Sequence, residues 1–288
     1  MKTRIIQNEP DSRRPGPAAR TGPAARTGLA GWITAHRLIS FFVLAYALAW
    51  WSWPLYQFDV WPRQAFNAIG ALIAAIVVIA VAEGKAGFRD LGRRMIRWRV
   101  PWYLYAFALL LPLVIRFAVA LINPVPNPDW TNLAWTSFGL AFLIRLVNPL
   151  DGPMAEEPAW RGFAIPRMQR TRSPLVTAVV LGVLVAGWHL PLIGDTGAIG
   201  IVATFSITIV YVWLFNRSGG SVLLTLLFHN AQGFITMGDL GYRGSDLARQ
   251  EWFEFIAWTV VAIALVVFDR AAWRSAPASV VYDGDGTR

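Results

Sequence analysis

Trp102-Tyr-Leu-Tyr-Ala-Phe-Ala-Leu-Leu-Leu-Pro-Leu-Val-Ile-Arg116-Phe-Ala-Val-Ala-Leu-Ile122 decides the fold class. These 21 residues carry one charge, Arg116. At a rise of about 1.5 Å per residue, such a run makes a helix of roughly 30 Å, the thickness of a bilayer's hydrocarbon core. Working outward, comparable runs lie at about 38–56, 66–82, 134–149, 174–193, 197–215, 220–237 and 252–268. Together they predict an all-α polytopic membrane protein with about eight transmembrane helices. Composition agrees: the chain is 56% hydrophobic and 15% charged, against about 25% charged in soluble domains.

The charges then give an orientation. The net charge is +9, which in a soluble chain would raise nucleic-acid binding. Here 21 of the 26 basic residues fall in the N-terminal arm, alternate loops and the tail. The positive-inside rule explains them better than nucleic acid does. Both termini are predicted cytoplasmic, in a multi-pass protein of the cell membrane. Residues 1–35 read as a disordered basic arm, with Gly-Pro-Ala-Ala-Arg-Thr repeated at 16–21 and 22–27. Residues 36–270 form the membrane-embedded domain, and 271–288 a polar tail expected to be loose. The chain has no cysteine. Disulfides, thiolate metal sites and cysteine nucleophiles are therefore excluded.

Ionisable residues inside apolar runs cost roughly 2.5–3.5 kcal/mol each on insertion scales, and mark function by default. The chain holds only three histidines, and two of them, His189 and His229, lie in such runs. Upstream stands Glu156-Glu157-Pro-Ala-Trp-Arg161, after the breaker-rich Asn148-Pro149-Leu-Asp151-Gly-Pro153. A helix is predicted from about 154 to 170, either the lower half of a kinked fourth helix or a separate buried one. Glu156 precedes Arg172 by 16 residues, and His189 follows Ser173 by 16. In an antiparallel hairpin both sit at the same height, roughly 24 Å from the turn.

Adjacent glutamates on a helix point about 100° apart and cannot share one role. Glu157 and Arg161, four apart with the acid first, are predicted to pair. Glu156 is left as the general base for water. The two imidazoles can donate hydrogen bonds to an oxyanion. Alternatively, Glu156, His189 and His229 bind a divalent metal such as zinc. Asn230, beside His229, is a further candidate supporting residue. The zinc-protease His-Glu-x-x-His pattern is absent, and so is Gly-x-Ser-Gly.

At these residues the sequence resembles the CPBP family, the type II CAAX prenyl proteases and bacteriocin-processing intramembrane proteases, also called the ABI family. Its Glu-Glu-x-x-x-Arg motif is Glu156-Glu157-Pro-Ala-Trp-Arg161. Its aromatic-x-x-x-His motif is Val185-Ala-Gly-Trp-His189, with valine in the aromatic place. Its His-x-x-x-Asn motif is met by His229, with Gly233 where asparagine is usual. The basic stretch 88–99 also resembles the family's loop. The resemblance implies an intramembrane endopeptidase acting on membrane-associated proteins or peptides, in which Glu156 activates water and His189 and His229 orient it or hold the oxyanion. It leaves open whether a metal takes part. Two other classes compete with it. One is a non-catalytic membrane scaffold or immunity protein of the same fold, suggested by Val185 and Gly233. The other is a transporter relaying protons through the buried glutamate and histidines.

Overall fold

In lipid, apolar side chains gain little by meeting one another, so helices associate where small residues let backbones approach. The computed structural model shows this at the first contact of the bundle. A Cβ on Gly70 would lie 2.7 Å from the backbone of Leu48 and Ala49, so α2 (Arg37–Trp50) and α4 (Ile69–Ala82) touch main chain to main chain. Ala71, Ala74, Ala75 and Ala45 are fully buried in that seam. The structure describes residues 27–60, 66–122 and 135–284, with 128, 130 and 133 between the last two segments. Most of the predicted basic arm, residues 1–26, lies outside the described residues. Its end forms α1 (Gly28–Ala35), which packs on α4 through buried Ile33.

The remaining helices are α3 (Trp53–Gln57), α5 (Gly84–Met95), α6 (Trp102–Ile122), α7 (Trp135–Arg145), α8 (Gly152–Glu157), α9 (Ile165–Met168), α10 (Pro174–Trp188), α11 (Ile193–Arg217), α12 (Val222–Gln232), α13 (Gly244–Phe268) and α14 (Arg270–Arg274). There is no strand among the described residues. The fold is all-α, and each of the eight apolar runs holds a helix. Only four segments among the described residues are long and apolar enough to cross a bilayer: Arg37–Gln57, Trp102–Ile122, Gly197–Arg217 and Gly244–Phe268. The apolar helices Ile69–Ala82 and Pro174–Trp188 are shorter, and α7 and α12 have 11 residues each. Breakers set these ends. Pro191 lacks a backbone N–H and turns the chain through Leu190–Leu192 after α10, and Gly233 follows α12.

Two apolar cores result. One gathers Phe41, Trp160, Phe163 and Trp188 among α2, α4, α10 and the helix that carries the glutamates. The other gathers Leu104, Tyr211, Phe228 and Trp258 among α6, α11, α12 and α13. The polar residues singled out by the sequence lie where these cores meet. The tail's described part, to residue 284, is docked: Trp273, Val280 and Tyr282 are buried, and the Tyr282 amide donates to the Pro166 carbonyl at 3.1 Å. Three apolar side chains among polar neighbours were enough to dock it, a pattern too sparse to read from composition.

Candidate active site

The helix bearing both glutamates is a separate buried element, not the end of α7. Asp151 caps it, its Oδ1 accepting from the Gly152 amide at 2.7 Å. Pro158 follows Glu157 and has no N–H to give to a carbonyl one turn back. The helix widens there into a π-helical stretch, Pro158–Ala164, before α9 resumes the α form. Every residue from Ala155 to Gln169 is buried. A helix with two carboxylates and two arginines can stay buried only if each charge finds a partner.

Glu157 finds two. Its Oε1 accepts from Arg161 Nη1 at 3.0 Å and from His229 Nδ1 at 2.8 Å. The pairing with Arg161 is as predicted. That with His229, 72 residues away, was not read from the sequence. Arg161 also lies 3.6 Å above the ring centre of Tyr211. Glu156 points to the other side, where Trp160 Nε1 donates to its Oε2 at 3.3 Å. His189 Nε2 stands 4.0 Å from the same oxygen, which fulfils the equal-height argument.

His189 is fixed by its own helix end. It is the C-cap of α10, and its Nδ1 lies 2.8 Å from the Val185 carbonyl. A carbonyl only accepts, so Nδ1 carries the proton and Nε2 faces Glu156. Phe66 stacks on the imidazole and Trp188 meets it edge-on. His229 is fixed in the same sense: Nδ1–H is held by Glu157, and Tyr211 flanks the ring. Both rings thus leave Nε2 for chemistry. Glu156, His189, His229, Arg161, Tyr211 and Gln232 line a common cavity of about 130 Å³.

Asn230 does not line this cavity. It is fully buried, and its Nδ2 donates to the Phe142 carbonyl at 2.6 Å, tying α12 to α7. The space beside Gly233 is filled by Arg145. A Cβ at 233 would lie 2.6 Å from Arg145 Nη1, which donates to the Gly233 carbonyl at 2.8 Å. Arg145 Nε also meets Asp151 at 3.0 Å. One guanidinium therefore joins the end of the His229 helix to the cap of the Glu156 helix. From the sequence Arg145 takes no role, although it is a charge inside the apolar run 134–149. That same signal, an intramembrane arginine, was the clue to it.

The metal alternative can be tested against the donor set. The ring tautomers suit ligation, because each histidine gives its Nδ1–H to an acceptor. The spacing does not suit it. Among the described residues no three histidine, aspartate or glutamate side chains stand together so as to hold a metal ion. The metal role expected of Glu156, His189 and His229 thus finds no support in this arrangement.

Residues 134–235 match the family model described as Type II CAAX prenyl endopeptidase Rce1-like. No curated protein matches the chain. The matched segment runs from α7 to just past α12 and includes every cavity-lining residue named above. That family is described as one of endopeptidases, and four helices among the described residues of this chain are long and apolar enough to cross a membrane. Over residues 134–235 the chain is thus similar to the Rce1-like type II CAAX prenyl endopeptidases.

Proposed function

We propose that the protein is an intramembrane endopeptidase in which Glu156 activates the attacking water. The observation that carries this reading is the facing of Glu156 Oε2 and His189 Nε2 across 4.0 Å at the wall of the shared cavity. A water between them donates one hydrogen to the carboxylate and one to the imidazole, which aims an oxygen lone pair into the cavity. Glu156 takes the proton as that oxygen attacks the peptide carbonyl. It returns the proton to the departing amine as the C–N bond breaks. His229, held by Glu157, faces the same volume through Nε2, a lone pair that can accept from the substrate's backbone N–H. Arg161 holds Glu157 in place, so Glu157 supports and Glu156 reacts.

The substrate is a membrane-associated protein or peptide. The family's description makes a C-terminal prenylated CAAX peptide the first probe. The test uses full-length protein in proteoliposomes with a fluorogenic S-farnesylated CAAX peptide. Glu156→Gln is expected to lose about 10³-fold or more in kcat, with its thermal unfolding in detergent unchanged. Full activity in that variant removes Glu156 from the mechanism.

A further inference from the structure

We propose that Gln232 is a further catalytic residue, whose side-chain amide N–H holds the oxyanion formed when water attacks the peptide carbonyl. The inference rests on the Glu156 reading above and deepens it. It follows from accounting for each polar hydrogen at the cavity wall.

A developing oxyanion needs donors aimed at it in advance. The Nδ1–H groups of His189 and His229 are engaged by the Val185 carbonyl and Glu157. With those protons fixed, each neutral ring offers its Nε2 as an acceptor. Thr204 and Thr208 line the cavity, but their hydroxyls donate to the carbonyls of Gly200 and Thr204 at 2.9 and 2.7 Å. Arg161 Nη1 is held by Glu157, the guanidinium lies over Tyr211, and its Nε, though without a partner, is buried out of reach of a ligand in the cavity. The Tyr211 hydroxyl donates to Gln232 Oε1 at 3.1 Å.

That last bond orients the amide. Tyr211 is 3% exposed, and its buried O–H requires an acceptor, which the Gln232 carbonyl oxygen supplies. With Oε1 turned to Tyr211, the Nε2 hydrogens are left for the cavity, and they meet no acceptor among the described residues. The backbone beneath is anchored as well: Arg116 Nη2 donates to the Gln232 carbonyl at 3.0 Å, and Arg116 Nε pairs with Glu254 at 2.9 Å. Gln232 is thus a neutral donor on a fixed helix end, three residues past His229. In the step itself, the C=O π pair moves onto oxygen as the water oxygen bonds to carbon. Glu156 gains the proton, and the Nε2–H bond to that oxygen shortens. Collapse reverses the charge and expels the amine with Glu156's proton.

The experiment measures kcat, KM and binding of a non-cleavable phosphonate analogue for wild type, Glu156→Gln, Gln232→Met, Gln232→Glu and Tyr211→Phe, using the same peptide and proteoliposomes. Gln232→Glu keeps the acceptor for Tyr211 and lacks the N–H, so it stands in should the methionine variant fail to fold. Both Gln232 variants are expected to lose about 10²–10³-fold in kcat with KM little changed. The phosphonate should weaken by a similar factor, while the intact peptide binds as before. Tyr211→Phe, which frees the amide to rotate, should lose about tenfold in kcat. Wild-type kcat in the Gln232 variants beside an inactive Glu156→Gln overturns this inference and leaves the proposed function standing. A loss confined to KM overturns it too. No difference between wild type and Glu156→Gln overturns both.

Discussion

One buried helix supplies the arginines of two stacks of the same composition, a carboxylate, an arginine and a tyrosine. The inner stack is Glu157, Arg161 and Tyr211, with the guanidinium 3.6 Å above the ring centre. The outer stack is Glu83, Arg167 and Tyr282, with the guanidinium 4.1 Å from its ring. The outer stack is saturated. Arg167 meets both oxygens of Glu83, with Nε to Oε1 at 2.8 Å, and its Nη1 donates to the Phe163 carbonyl. Arg37 adds a second cation to Glu83. The inner stack is not saturated: Glu157 Oε2 and Arg161 Nε are buried without a hydrogen-bond partner. Its one doubly used oxygen, Oε1, goes to Arg161 and His229 together. The outer stack thus serves packing, and the inner one gives up hydrogen bonds to hold a histidine beside a cavity.

The sharpest way to break this comparison is to remove each carboxylate. Glu157→Ala leaves Arg161 buried and uncompensated, a loss of about 3–5 kcal/mol, and frees His229 from its tautomer. Peptide cleavage per folded molecule should fall about 10²-fold or more. Glu83→Ala should destabilise by a comparable amount while cleavage per folded molecule stays near wild type. Thermal unfolding in detergent, paired with kcat, checks both. Equal kcat losses would erase the functional difference between the stacks.

The tyrosines come next. Tyr282→Ala empties a fully buried aromatic site and should cost about 3 kcal/mol, with kcat unchanged. Its phenol gives a second readout. Burial pushes it up to about 12, and the Glu83 carboxylate adds to that. An acid raised on folding contributes stability that is whole below the ordinary tyrosine value near 10. That stability is lost as pH rises through about 12. The wild-type melting temperature should therefore fall between those limits by more than that of Tyr282→Phe.

Between the stacks and the cavity stands the Arg145 clamp. Gly233→Ala sets a Cβ 2.6 Å from Arg145 Nη1, so the guanidinium must leave the Gly233 carbonyl. An overpacking cost of about 1–3 kcal/mol is expected. Cleavage should fall about tenfold as the Asp151 cap loosens from α12. Unchanged kcat would show that the clamp does not set the distance between Glu156 and His229.

These contrasts also mark how far the chain can be read unfolded. Helical spacing is local, so the Glu157–Arg161 pair and the shared depth of Glu156 and His189 were legible from residue counts alone. Apolar runs gave the helices, but not which are full spans, because Pro191 and Gly233 shorten them at the site. Contacts between distant segments left little trace. The Glu157–His229 bond, the seat of Arg145 against Gly233, the turn of the Gln232 amide by Tyr211 and the docking of Tyr282 all depend on how helices cross. Asn230 shows the converse. Its place beside His229 suggested a role at the site, yet a helix turns neighbours onto different faces, and this one went to the Phe142 carbonyl.

The smallest effect is expected at a third ion pair with an aromatic partner, Arg217 and Asp269 beside Trp213. Arg217 Nε donates to Asp269 Oδ2 at 2.7 Å, and the Trp213 indole donates to the same oxygen at 2.8 Å. Here water replaces the protein on one side: the Arg217 side chain is 44% exposed. The Arg217 hydrogen bond, aided by Trp213, holds the Asp269 carboxyl below its usual range. A carboxyl lowered on folding contributes stability above its unfolded value, and that stability is lost as pH falls through the folded one. Solvent screening keeps the amount to at most about 1 kcal/mol. Asp269→Asn should accordingly melt slightly below wild type at pH 7, and the gap should close once Asp269 itself is protonated. A gap that persists in acid would mean that packing on Trp213, and not charge, holds this corner. The gradient from outer surface to cavity would then owe less to burial of ion pairs than the two inner stacks imply.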